Sequence, residues 1–138
     1  MPKALRNVLA AIAGVFVGGI ANMLVIISGA KLLPPPPGVD PNDAASINAH
    51  IGEYSFAQLL VPFAAHAVGT LVGAALAARL AASRTIVPSA VVGALFLAGG
   101  VMAVRMIPDA PGWFVALDLA MAYAPMAWLG WRLGRHAA

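Results

Sequence analysis

The 138-residue chain has no cysteine, which excludes disulfides, thiolate zinc sites, iron–sulfur clusters and a cysteine nucleophile. Charge is also scarce. Asp, Glu, Lys and Arg make up 9% of the residues, where about 25% is ordinary for a soluble domain. No basic run interleaves with aromatic residues, so nucleic acid is not an expected partner. No glycine-rich loop follows a strand-like run, and no serine sits in a nucleophile elbow. What the chain has instead is apolar surface. Its hydrophobic fraction is 62%, against the roughly 45–50% of soluble proteins. A soluble domain of this size keeps much of its surface exposed and could not hide that fraction. The composition predicts a protein whose solvent is lipid.

Four runs are long enough to cross a bilayer core, which needs about 20 apolar residues. The expected fold is all-α, a four-transmembrane-helix bundle forming a single integral membrane domain over 1–138, with spans at 8–30, 56–80, 86–106 and 113–133. Continuous rather than alternating hydrophobicity argues against strands. Lys3 and Arg6 precede the first run and Ser28-Gly29-Ala30 resembles a cleavage site. The run exceeds the 7–15 residues of a signal core, so it reads as a retained helix.

Orientation follows from the basic residues. Lys3, Arg6, Arg79, Arg84, Arg132 and Arg135 fall on one side, Lys31 and Arg105 on the other. Six against two predicts a multi-pass protein of a bacterial inner membrane with both termini cytoplasmic. His136 reads as a solvated residue of the basic tail. The long outer loop, 31–55, opens with four consecutive prolines, a stiff extended stretch. Asp40 followed by Pro41 then reads as the cap of a short amphipathic helix. Ala44, Ile47, Ile51 and Tyr54 would share its buried face. Pro62, Pro88, Pro125 and Gly99-Gly100 are expected kink points in the spans.

Lipid gives helices no hydrophobic reason to associate, so small residues must let backbones approach. Gly14 and Gly18, then Ala65, Gly69, Gly73 and Ala77, then Ala90, Ala94 and Ala98, then Ala116, Ala120 and Ala124, with Gly130 and Gly134, recur at four-residue spacing. These stripes serve either the bundle or a homo-oligomer. The expected partners are the lipid bilayer and a further copy of the chain.

Ionisable groups in lipid are costly and face the bundle interior or a wet cavity. The intramembrane polar set is Asn22, His66, Thr70, Ser89, Arg105, Asp118 and Tyr123. The helical spacings let Asn22, His66 and Asp118 converge. Arg105 is expected to reach Asp118 across the short third link. The candidate ligand site is Asn22, His66, Arg105, Asp118 and Tyr123, open outward under the loop bearing Glu53. His50 and Glu53 share a face but lack a second nearby histidine, so no metal is assigned. His66 alone cannot ligate a haem from both sides, and no cofactor is assigned.

Pro35-Pro36-Pro37-Gly38-Val39-Asp40-Pro41 with Asp43, the run His66 to Gly73, and Asp118-Leu119 with Ala122 to Trp128 carry a resemblance. The chain resembles small bacterial four-helix membrane proteins with a proline-rich outer loop, a group to which no activity is attached. It differs from the small multidrug exporters, since its first span contains no acid. Two expectations of function follow from the polar set. One is binding or transport of a small ligand. The other is a membrane enzyme on a lipid-soluble substrate, with His66 and Asp118 as acid–base pair. An assembly partner whose polar residues only fix helix register is the third possibility weighed.

Overall fold

A long apolar run can satisfy its own backbone only as a helix. In the computed structural model, which describes residues 1–135, every such run is one. His136 lies outside the described residues. Helix α1 spans Lys3–Leu32 and starts before the expected residue 8. Helix α2 spans Ala44–His50 and passes into a 3-10 turn, Ile51–Glu53. Helices α3 and α4 span Phe56–Leu80 and Ile86–Met106. Helices α5 and α6 span Gly112–Met121 and Ala124–Gly134. There is no strand among the described residues. The helices α1, α3, α4 and the α5–α6 pair are long and apolar enough to cross a membrane, as in a multi-pass membrane protein.

The fourth run departs from expectation. It is two helices, interrupted at Ala122 and Tyr123. Pro125 lies in the first turn of α6, where its missing N–H is tolerated. It could not continue α5, because it has no N–H to give the Met121 carbonyl. The expected kink is therefore a break. By contrast, α3 runs unbroken through Pro62. Pro88 falls in the first turn of α4, whose N–H groups have no intrahelical partner anyway.

The short helix of the long loop also differs in detail. Its cap is Asp43, whose side chain accepts from the Ala45 N–H at 3.0 Å. Asp40 instead closes a turn, accepting from the Asn42 N–H at 2.9 Å. Both aspartates suit a cap, but only Asp43 directly precedes the first helical residue. Ile51 is buried, and burial pushes the Tyr54 phenol above its ordinary pKa. Asn48 clamps this loop to the α4–α5 link: its amide donates to Asp109 Oδ2 and its Oδ1 accepts from the Asp109 N–H.

Helix α3 is the centre of the bundle, packed against α1, α4 and α6. Its interior contacts are made by small residues, with Ala65, Ala74, Ala77 and Ala78 fully buried. Large side chains such as Phe16, Leu24, Leu95 and Met102 point outward. This small-inside, large-outside arrangement is that of helices associating in lipid. The glycines of α1 and α3 meet directly. A Cβ on Gly14 would stand 2.5 Å from the Gly73 carbonyl oxygen, and one on Gly18 would stand 2.6 Å from that of Gly69. Gly130 and Gly134 lie as closely on the backbone of α3 at Leu71 and Ala75. The alanine stripes at Ala90, Ala94 and Ala98 on α4, and at Ala116 and Ala120 on α5 with Ala124 at the start of α6, are exposed and take no part in this packing.

One end of the bundle is tied by polar bonds. Asn7 Oδ1 accepts from the Ala82 N–H at 2.8 Å, and its amide donates to the Ser83 carbonyl at 2.9 Å. Arg6 donates to the Leu80 carbonyl, and the Trp131 indole donates to Thr85 Oγ1. The start of α1, the α3–α4 link and the end of α6 therefore lie together. At the other end, Ser55 caps α3 in a capping box with Gln58, whose amide reaches the Pro34 carbonyl.

Candidate functional site

The break in the fourth run builds the site. Helix α5 ends one turn after Asp118, whose carbonyl accepts from the Ala122 N–H. The chain then turns at Tyr123 and buries this ring to 1% exposure. The ring fits because α4 has glycine opposite: a Cβ on Gly100 would collide with the phenol. Tyr123 Oη donates to Asp118 Oδ2 at 2.9 Å. The other carboxylate oxygen meets His66 of α3, with Nδ1 to Oδ1 at 2.8 Å. The imidazole and phenol rings stack with centroids 5.8 Å apart. Thr70 Oγ1 donates to the His66 carbonyl at 2.8 Å and completes the local network.

The chemistry of this cluster follows from its donors and acceptors. When Asp118 is ionised its carboxylate only accepts, so Nδ1 of His66 carries the shared hydrogen. That fixes Nε2 as a lone-pair acceptor when the ring is neutral and as a donor when it is charged. Asp118 is buried, with its side chain 4% exposed, whereas the His66 side chain is 24% exposed. No hydrogen bond within the described residues uses Nε2. His66, Tyr123 and Asn22 line a cavity of about 320 Å³ with Val15, Gly19, Leu95, Phe96, Gly99 and Gly100. Asn22 Oδ1 is buried and has no partner among the described residues. A buried polar atom left unpaired costs about 1–3 kcal/mol, so Asn22 is not satisfied as helix glue.

Of the six residues expected at the site, the structure brings four together: Asn22, His66, Asp118 and Tyr123. Arg105 is not among them. It is exposed in the last turn of α4, and the ion pair of Asp118 is with His66. Both carboxylate oxygens are already engaged, by His66 and by Tyr123. Glu53 is exposed on the 3-10 turn and does not line the cavity. Ser89, another member of the polar set, is glue between helices: its hydroxyl donates to the Ala74 carbonyl at 2.9 Å. His50 Nδ1 bonds the Ser46 carbonyl of its own helix. Among the described residues no group of three His, Asp or Glu could hold a metal ion. Gly100 is the contributor that sequence reasoning assigned to a kink. Its signal was a glycine in a span where neither a turn nor a helix end required one.

No protein-family model, curated protein sequence or solved structure matches this chain.

Proposed function

We propose that this is a multi-pass protein of the bacterial inner membrane that binds a small hydrogen-bonding ligand between its helices, with His66 as the group that meets the ligand and exchanges a proton with it. One observation carries this reading: Asn22 and His66 line one cavity, and Asn22 Oδ1 and His66 Nε2 have no partner among the described residues. Polar residues that served only as helix glue would satisfy one another, as Ser89 does with Ala74. In this reading Asp118 and Tyr123 orient the imidazole, in the way that an outer hydrogen bond fixes a histidine tautomer at other sites. Asn22 orients the ligand. The test is native mass spectrometry of protein extracted in mild detergent. The wild type is expected to carry a small molecule that His66→Leu and Asn22→Leu have each lost. A wild type that carries none, or folded variants that keep it, would count against the reading.

The same geometry favours a second reading. A histidine held by a carboxylate presents Nε2 as a general base, so the ligand could be a lipid-soluble substrate. The two differ in outcome: a bound molecule recovered unchanged supports binding or transport, and a converted one supports catalysis.

The membrane setting rests on the four apolar helices and on the distribution of charge. Lys3, Arg6, Arg79, Arg84, Arg132 and Arg135 favour a cytoplasmic position for the end of the bundle where α1 starts and α6 finishes. The bacterial setting rests on the resemblance carried by the proline-rich loop. Because the chain has no cysteine, single cysteines report orientation cleanly. Asn42→Cys is expected to react with an impermeant maleimide on intact cells, and Ser83→Cys only after lysis. The reverse pattern would invert the topology. The exposed alanine stripe of α4 offers a close-packing face to a second copy.

A further inference from the structure

The cavity at His66 has a neighbour along α1 and α4. Val15 of α1 and Leu95 of α4 also wall a second hollow of about 520 Å³, which continues between the same two helices toward the start of α1. Its remaining walls include Val8, Ile12, Phe16, Val87 and Val91. The polar side chain at its far end, Asn7, is committed to the backbone of Ala82 and Ser83. From Asn22 to Val8 the groove runs about 21 Å at the helical rise of 1.5 Å per residue. It is thus polar at one end and hydrocarbon-like along the rest.

The polar end also selects by charge and by hydrogen bonding. No Lys or Arg lines either hollow. With Asp118 ionised, the His66–Asp118 pair is neutral or negative and offers an anion no net attraction. A phosphate or carboxylate head would meet the Asp118 charge with no Lys or Arg in the lining to offset it. Asn22 Oδ1 and the neutral His66 Nε2 are both acceptors. A ligand that satisfies them must supply donors, as a hydroxyl does.

We propose that the α1–α4 groove holds the hydrocarbon chain of a neutral, single-chain amphiphile whose hydroxyl head sits at Asn22 and His66. This rests on the ligand-binding reading of that site and names its ligand class. Long-chain alcohols and isoprenoid quinols share the required chemistry.

The test uses the full chain in phosphatidylcholine nanodiscs and hexadecanol bearing a mid-chain diazirine. Photolysis is expected to label the α1 segment 8–16 and the α4 segment 87–95 saturably. Excess hexadecanol or a decyl-substituted quinol should compete, and palmitate should not. Protection by the quinol alone would assign the site to an isoprenoid-type head, and protection by the alcohol alone to an alkyl one; either supports the class. Val91→Trp, which fills the lower hollow without touching the head, should cut labelling at least fivefold. His66→Leu should do the same through the head. Labelling spread over all outward faces without saturation would identify annular lipid and overturn the proposal. So would a dimer in native mass spectrometry with the groove unlabelled, which would assign it to a second copy. If Val91→Trp leaves labelling intact while His66→Leu abolishes it, the chain assignment falls and the His66 site stands. If Val91→Trp acts and His66→Leu does not, the head assignment falls together with the reading beneath it.

Discussion

Asp118→Leu is expected to unfold or misassemble the bundle, whereas Asp118→Asn is expected to leave it folded and weaken ligand binding. The carboxylate is buried and accepts from two donors, His66 Nδ1 and Tyr123 Oη. Leucine fills the space but leaves both donors without an acceptor. Breaking a buried pair from one side costs about 3–5 kcal/mol. Asparagine keeps the shape and both bonds, because its oxygen accepts from Nδ1–H while its amide donates to the phenol oxygen. Its stability should stay within about 1 kcal/mol of the wild type. What asparagine loses is the constraint on His66. An amide can donate as well as accept, so the ring is free to take the other tautomer and present Nε2–H to the cavity. A ligand that donates to Nε2 then finds a donor. Its affinity should fall about tenfold or more, equivalent to at least 1.4 kcal/mol. Circular dichroism melts in mild detergent read the first effect, and the labelling assay reads the second. Asparagine and leucine variants that lose stability equally would make Asp118 a purely structural residue. Tyr123→Phe removes one of the two donors and should fall between them.

The helices were legible because lipid-compatible runs have few alternatives to the α-helix. Asn22, His66, Asp118 and Tyr123 stood out by cost, since polar groups are expensive in such runs. The partners were less legible. Arg105 was matched to Asp118 by sign of charge and by the shortness of the link. That match ignored the break at Ala122 and Tyr123, which turns the carboxylate inward toward α3 and supplies its second donor. The break itself was signalled by Pro125, but a proline within an apolar run reads equally as a kink, as a first-turn residue or, like Pro62, as neither. Glu53 was placed over the site on loop length, and loop length does not say which way a turn faces. Asn7 precedes the apolar run and nothing in its spacing marks it, yet it ties α1 to the α3–α4 link through backbone groups that carry no sequence signal. The glycine stripes of α1 and α3 were visible by spacing. Which stripe meets which required the packed helices: the stripes of α1, α3 and α6 turn inward, and those of α4 and α5 outward.

That division leads to the second large expected effect. Gly73→Ile should detach α1 from α3, while Gly99→Ala should not. At Gly73 a Cβ would stand 2.5 Å from the Gly14 carbonyl oxygen and 3.1 Å from Val92 Cγ1. Backbone cannot rotate aside as a side chain can, so the two helices must separate. In water, part of such a loss is offset by hydrophobic burial elsewhere. In lipid the acyl chains are as apolar as the helix surface, and packing lost at the contact is not recovered. Overpacking alone costs about 1–3 kcal/mol, and a branched side chain wedged between backbones belongs at or beyond the upper end. The effect should be reciprocal, because a Cβ on Gly14 meets the Gly73 oxygen at the same 2.5 Å. Gly99 and Gly19 have nothing within 4 Å of an added Cβ. Alanine at either should be neutral or should stabilise the helix by up to about 1 kcal/mol through propensity. Both of these glycines line the His66 cavity, so their alanine variants should melt like the wild type and bind the ligand less well. Melting temperature and photolabelling measured on Gly73→Ile, Gly99→Ala and Gly19→Ala separate the two roles of glycine. A Gly73→Ile protein as stable as the wild type would show that α1 does not depend on this contact.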